Sequence, residues 1–397
     1  MHDEAWSQFM RSAHPCDLAD FLRPEVYLRP YVTNSSGLSF PRLGFYSCHS
    51  VRFKAYERTT CQTISMRLPA YNPHEALVLP RSRNFNMNLD FLPCKTPIAF
   101  MVFNRPEHTL RAFRRIAEVK PTHLLVIADG ARAGRPGESE LCEQVRAIAT
   151  QVDWACTLQT NFADTNMGCR KRIVSGLNWV FEQVEQAIIL EDDVLPDLSF
   201  FLFCQEMLTR HAEDRRISMI GGFSPEQDRL STSDSYYYSH LSHIWGWATW
   251  RWSWARYDEH LTHWPEIKAA GLLRNVFKQP YQYQFWTHIF DQMHSGTGPN
   301  TWDYQWVYSN LVNNALSVIP HINLVENIGF GPSATHTTQL ENAPLYKGGS
   351  LTFPLHHPVG VVPRLDLDEL DDKLSGNKIP SIPKRALRKA GRLLRGA

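Results

Sequence analysis

Residues 187–197 read AIILEDDVLPD: the apolar run Ala187-Ile188-Ile189-Leu190 ends abruptly at Glu191, Asp192 and Asp193. A short continuous apolar run with polar flanks suits a strand covered on both faces, as parallel sheets require. Working back from it, residues 169–183 read as a helix through Ile173, Leu177 and Val180, and ACTLQT (155–160) as a weaker strand. Residues 139–152 are a helix with Leu141, Val145, Ile148 and Val152 on one face, and THLLVIADG (122–130) is a buried strand. IAFMVF (98–103) is another such strand. NRPEHTLRAFRRIAEV comes after it, with Pro106 and Glu107 in a first turn and Leu110, Phe113 and Ala117 as its apolar stripe. Strands and helices alternating at this spacing predict an α/β fold, a mainly parallel Rossmann-like sheet flanked by helices. Such sheets bind ligands beyond the carboxyl ends of their strands. Asn104-Arg105, Asp129 and the Glu191–Asp193 triplet all fall at such ends.

The rest of the chain narrows the function classes. A net charge of +1 over 397 residues gives no field for nucleic acid, and no nucleic-acid partner is expected. No apolar run is long enough to span a bilayer. The N-terminus lacks the basic start and apolar core of a signal peptide. The eight cysteines show neither C-x-x-C nor zinc-site spacing and read as free thiols. Residues 1–95 are broken by prolines and read as a poorly defined extension, with one short helix near Cys16–Leu22. Residues 96–340 form the main domain, and 341–397 a tail with an acidic run (365–374) and a basic one (383–396). In the basic run Leu387, Ala390 and Leu394 share a helical face. Such a helix fits an anionic membrane surface, and the plainer reading is a solvated tail.

Two carboxylates within three residues at a strand end can hold Mg2+ or Mn2+ while leaving room for phosphate oxygens. The plainer alternative is a cap for a helix starting near Pro196-Asp197. Asp129 can accept from a base or ribose edge and Arg105 can stack on a base. Their plainer readings are a turn residue and a solvated side chain. In NMGCRKR (166–172) the basic residues Arg170, Lys171 and Arg172 oppose the helix dipole, which points to an anionic ligand or to an unfavourable surface start. Nine of the twelve tryptophans fall between Trp245 and Trp306; core packing suits most of them, and Trp245, Trp247 and Trp302 are candidates for the wall of a donor or acceptor pocket. His240/His243 and His260/His263 have no third ligand at useful spacing, so they read as ordinary histidines before a zinc site. Asp303, set among Trp302, Tyr304 and Trp306, is a candidate general base, or a helix-start aspartate. ENIGFGPSATHT (326–337) reads as a loop that closes over substrate, Gly331 and His336 within it and His336 in reach of metal or phosphate, or as an ordinary surface loop.

The ordered set FNRP, IADG, NMG, ILEDD, GWATW, WD and GFGPSATH, over residues 96–337, resembles the GT-A-fold nucleotide-sugar glycosyltransferases, nearest the inverting N-acetylglucosaminyltransferase I type. The resemblance implies an α/β GT-A sheet with an aromatic-rich acceptor half. It implies Asp193 as ligand of Mn2+ or Mg2+, with Glu191 and Asp192 facing ribose and donor sugar. Asn104, Arg105, Asp129 and Arg172 would then line the nucleotide site, Asp303 would be the base, and Gly331–Thr337 the donor-closing loop. The implied partners are a nucleoside-diphosphate sugar, a UDP-sugar favoured, and a glycan or glycolipid acceptor. A cytoplasmic protein, peripheral at the inner face of the membrane, is expected. The competing readings are a sugar nucleotidyltransferase, for which the glycine-free FNRPEHT is a poor phosphate loop, and a non-catalytic carbohydrate-binding protein using the tryptophans.

Overall fold

The computed structural model describes residues 93–225, 232–329 and 348–373 in full, and the backbone of 50–57, 60–67 and 374. The chain divides into two units, Met1–Met87 and Asn88–Ala397. In the first, β1 (Ser50–Glu57) and β2 (Thr60–Arg67) pair antiparallel, Ser50 opposite Arg67 and Glu57 opposite Thr60. Sequence reading saw no strand there. The helix expected near Cys16–Leu22 lies outside the described residues.

The second unit is built on an eight-stranded sheet, and its α/β class is the one expected. It opens with β3 (Ile98–Val102), α1 (Pro106–Val119), β4 (His123–Ala128), α2 (Glu138–Ala149), β5 (Thr157–Phe162), α3 (Cys169–Gln183) and β6 (Gln186–Glu191). These strands lie in the order β5-β4-β3-β6, all parallel. Their apolar runs become strands buried on both faces, with Ile98, Phe100, Leu124, Val126, Ile188 and Ile189 at 0% exposure. Register then aligns the polar ends, since Val102 pairs with Ala128 and Met101 with Glu191. Asn104-Arg105, Asp129 and the acidic triplet are thereby brought to one rim.

Beyond β6 the chain forms β7 (Val194–Pro196), α4 (Leu198–Arg210), β8 (Ile217–Gly221), β9 (Tyr236–Ser239) and β10 (Trp247–Trp250). The helices α5 (Arg251–Trp254), α6 (Trp264–Ala269), α7 (Pro280–His294) and α8 (Asp303–Val312) come next, then β11 (Leu316–Pro320) and β12 (Val325–Asn327). The sheet continues from β6 as β10-β8-β11-β9, with β10 and β9 running against the others. The plainer role weighed for the acidic triplet belongs to Asp197, whose Oδ1 accepts from Ser199 N–H at 2.9 Å and caps α4.

Most of the tryptophan cluster is core. Trp247 stacks on Trp302 with centroids 5.5 Å apart, and Trp306 lies 5.6 Å from Trp247 and 5.4 Å from Trp254. The acidic run 365–374 is also no solvated tail: it is α9 (Leu365–Leu374), docked through buried aspartates. Asp368 accepts from Ser239 Oγ at 2.6 Å, Asp371 meets His243 Nε2 at 2.7 Å and Asp372 accepts from Gln282 Nε2 at 2.6 Å. His240 and His243 therefore hold a helix. The basic run 383–396 lies outside the described residues. Among the described residues no helix is long and apolar enough to cross a membrane.

Candidate active site

At the carboxyl rim of β4, β3 and β6 lies a cavity of about 740 Å³. The rim loops line it, and so does the segment leading into α8, residues 300–303. Its conspicuous feature is an excess of carboxylate. Arg105 Nη2 bridges Asp192 Oδ1 and, at 3.0 Å, Asp193 Oδ2. Phe103 N–H also donates to Asp192 Oδ2 at 3.3 Å. One guanidinium thus faces three consecutive acids. Burial pushes the Asp192 carboxyl up, more than Arg105 pulls it down. Burial pushes Glu191 up further, reinforced by the charges of Asp193, Asp192 and Asp303.

A turn at Asp192-Asp193 leads into β7, which pairs with β12 and brings Asn327–Gly329 against Asp193. Ile328 N–H donates to the Asp193 carbonyl at 2.8 Å. A Cβ on Gly329 would stand 2.2 Å from Asp193 Oδ2, so the backbone touches the carboxylate where no side chain fits. Asp193 keeps 18% of its side chain exposed, against 3% for Asp192. Gly331 and His336, expected to close this side, lie outside the described residues.

Asp129 is in the opposite condition. Its Oδ1 accepts from Gly130 N–H and Met167 N–H, both at 2.9 Å. Its Oδ2 accepts from Asn166 Nδ2 at 3.0 Å and Gly168 N–H at 3.1 Å. All four lone-pair directions are occupied, so Asp129 clasps the loop before α3 and has no acceptor left for a base. Gly130 permits the clasp, since a Cβ there would meet the Thr165 carbonyl carbon at 2.5 Å.

Arg172, also expected at the nucleotide, lines the same cavity as Asp129 and braces its floor. It donates to the Ala128 carbonyl at 3.1 Å, to Asn161 Oδ1 at 2.7 Å and to the Asn161 carbonyl. Arg170 binds the carbonyls of Pro299 and Thr301, each at 2.8 Å. The basic helix start therefore serves backbone carbonyls in the ligand-free chain, and Lys171 is exposed.

Asn104 lines the cavity and donates to Glu138 Oε1 at 2.9 Å. Glu138 also takes Arg132, whose hydrogen bonds pull its carboxyl down to about 2, and Arg132 lies 5.4 Å over the Phe103 ring. Sequence reading missed this Arg132–Glu138 pair, because nothing local marks Glu138 as the partner of two residues from separate loops. It also missed Cys169, a cavity thiol that burial first, then Glu191 and Asp303, push up to about 12; at that value it is no nucleophile.

Asp303 opens α8 and faces the cavity, with Thr301 Oγ1 donating to its Oδ1. Of the three expected wall tryptophans, Trp245 is half-buried and lines the cavity. Trp302 reaches it while 1% exposed. Trp247, equally buried, stands in the core behind Trp302 and is not a wall residue.

No protein-family model matches the chain, and no curated protein matches it in sequence. Among solved structures it is similar to the mannosyltransferase PcManGT from Pyrobaculum calidifontis, in complex with GDP-Man and Mn2+. That likeness covers 56% of this chain and 73% of that one, at 12% identity and a TM-score of 0.28. A likeness this loose bears on neither substrate nor reaction.

Proposed function

We propose that the chain is a metal-dependent, inverting glycosyltransferase that moves a sugar from a nucleoside-diphosphate sugar to a hydroxyl of a glycan or glycolipid. The observation that carries this reading is one cavity lined by carboxylates from two separate elements: the β6 rim acids Glu191, Asp192 and Asp193, and Asp303 at the start of α8. Two carboxylate stations in one cavity suit a displacement, one holding the departing diphosphate and the other taking the proton of the attacking hydroxyl.

The residues fit a divalent ion, Mn2+ or Mg2+. No three His, Cys, Asp or Glu side chains form a complete ligand set among the described residues. The fit is to an ion that takes most of its ligands from phosphate and water and one or two from the protein. Asp193 offers such a carboxylate, and the acids beside it outnumber Arg105. When bound, the ion supplies Lewis-acid neutralisation of the diphosphate.

Arg105 and the Asn104–Arg132–Phe103 corner receive the nucleoside, and the ordered motifs favour a UDP-sugar. Asp129 and Arg172 hold that corner's loops in place. Asp303 removes the acceptor proton as the hydroxyl oxygen bonds to the anomeric carbon. The bond from that carbon to the diphosphate oxygen breaks, and its electron pair leaves with the nucleoside diphosphate. A single displacement inverts the centre. Trp245 offers a half-buried ring to the acceptor or donor sugar. The non-catalytic carbohydrate-binding alternative loses its main support, because most of the tryptophan faces it needs are packed on one another. Contact of the basic run 383–396 with an anionic membrane remains a separate proposal, tested by sedimentation with phosphatidylserine vesicles.

A thermal-shift screen of nucleoside-diphosphate sugars with and without Mn2+ tests the reading. The expected result is a raised Tm that needs nucleotide and metal together. A rise with free sugar alone would favour a binding module, and no rise with any donor would overturn the proposal.

A further inference from the structure

The segment before α8 is pinned from both sides. Arg170, in the first turn of α3, donates from Nε to the Thr301 carbonyl and from Nη2 to the Pro299 carbonyl, each at 2.8 Å. On the other side Tyr257 Oη donates to the Trp302 carbonyl at 3.2 Å, and its ring stacks on Trp254 with centroids 4.6 Å apart. The base of α3 is itself fixed, because Asp129 accepts from Met167 and Gly168 N–H just before it. A continuous set of contacts thus runs from the rim of β4 to Asp303.

The Thr301 hydroxyl is where that set ends. The N-cap position of α8 is held by Trp302, one residue after Thr301. Here α8 has no side-chain cap, and Thr301 Oγ1 donates to Asp303 Oδ1. Oδ2 has no hydrogen-bond partner among the described residues, while Asp303 faces the cavity. The two oxygens of one carboxylate are therefore unequal.

From this we infer that Thr301 and Arg170 are positioning residues for Asp303: Thr301 occupies Oδ1 so that Oδ2 takes the acceptor proton, and Arg170 holds the turn that presents the hydroxyl. The inference rests on the reading of Asp303 as the base. A carboxylate free to rotate offers either oxygen in many orientations. One fixed through Oδ1 presents Oδ2 in a single direction, and misplacement by about 1 Å can cost on the order of 100-fold in rate.

The experiment compares wild type with Thr301→Val, Thr301→Ser and Arg170→Met. Thr301 and Arg170 are only half-buried, and Tm is measured for each variant. For Thr301→Val the expected kcat is ~10- to 100-fold lower, with nucleoside diphosphate and Mn2+ binding unchanged by calorimetry. Thr301→Ser restores kcat. For Arg170→Met, kcat falls and the acceptor KM rises, with the same unchanged binding. Unchanged kcat in Thr301→Val would overturn the inference. Absence of any transfer by wild type would instead sink the glycosyltransferase reading. The positioning is then read from the 13C resonance of the Asp303 carboxyl, assigned with Asp303→Asn. A Thr301→Val shift that Thr301→Ser reverses supports it, and an unmoved resonance overturns it.

Discussion

The ends of β4 and β6 carry the same residue type on the same rim, yet Asp129 and Asp193 are in opposite conditions. Asp129 has both oxygens filled, mainly by backbone N–H groups of the loop before α3. Asp193 has one oxygen on Arg105 and part of its carboxylate open to the cavity. The path of the chain after each strand makes the difference. After β4 it passes through Gly130, close enough to Thr165 for the loop to wrap the carboxylate. After β6 it turns at once into β7, whose partner β12 sets a glycine backbone beside Asp193. A strand-end aspartate is thus structural or chemical according to whether its loop returns to it. Asp303 stands between the two, with Oδ1 taken and Oδ2 open.

The largest expected effect falls on Asp303. Asp303→Asn should lower transfer by on the order of 1,000-fold or more, while calorimetry shows nucleotide binding within about 2-fold, since no nucleotide contact to a base on the acceptor side is required. Equal loss of both would remove Asp303 from the role of base. Next comes Asp193→Ala, which should weaken Mn2+-dependent donor binding by on the order of 100-fold. Undiminished metal dependence would erase the contrast with Asp129.

Asp129→Asn tests the other side of that contrast. An amide nitrogen facing backbone N–H groups leaves donors unpaired, at a cost of about 2–3 kcal/mol in unfolding free energy. Donor affinity of the folded variant should change far less. Full stability with lost nucleotide affinity would make Asp129 a ligand contact after all. Gly329→Ala is milder: its Cβ displaces the Asp193 carboxylate, so metal-dependent affinity should drop about several-fold, measured by the same titration.

The smallest effect concerns pH. Burial raises Glu191 from its ordinary 4.5 to about 8 in the folded chain. A group whose folded value is raised gives stability that is full below its unfolded value and is lost as pH rises through the folded one. Without ligand, the Tm of Glu191→Gln should therefore gain on wild type as pH climbs from about 4.5 to about 8. A constant difference across that window would mean Glu191 is no more burdened by its neighbours than a surface carboxylate.

The parallel half of the sheet was legible because its signals are local. The run 98–103 and the stripe Leu110–Phe113–Ala117 each announce an element, and β3, α1, β4, α3 and β6 lie within a few residues of expectation. The rim was legible for the same reason, since a polar residue ending an apolar run marks a strand end. Roles were less so. That Asp129 is filled depends on N–H groups of residues 167 and 168, and backbone donors leave no trace in side-chain identity. The buried tryptophans and the docking of α9 depend on partners far apart in the chain, such as Asp371 with His243. The β1–β2 hairpin was passed over because the prolines of the N-terminal region outweighed the alternation in SVRFKAYE.

The central claim is that the acids at the end of β6 and Asp303 together perform a sugar transfer. The most direct measurement tracks the anomeric protons of UDP-sugars by NMR, for wild type beside Asp193→Ala. Each reaction holds Mn2+ and a glycan acceptor mixture, and the metal is chelated before the spectrum is taken. Wild type should consume a donor and give a glycoside of inverted configuration, while Asp193→Ala should leave the donor intact. Turnover that persists in Asp193→Ala at the wild-type rate would contradict the claim.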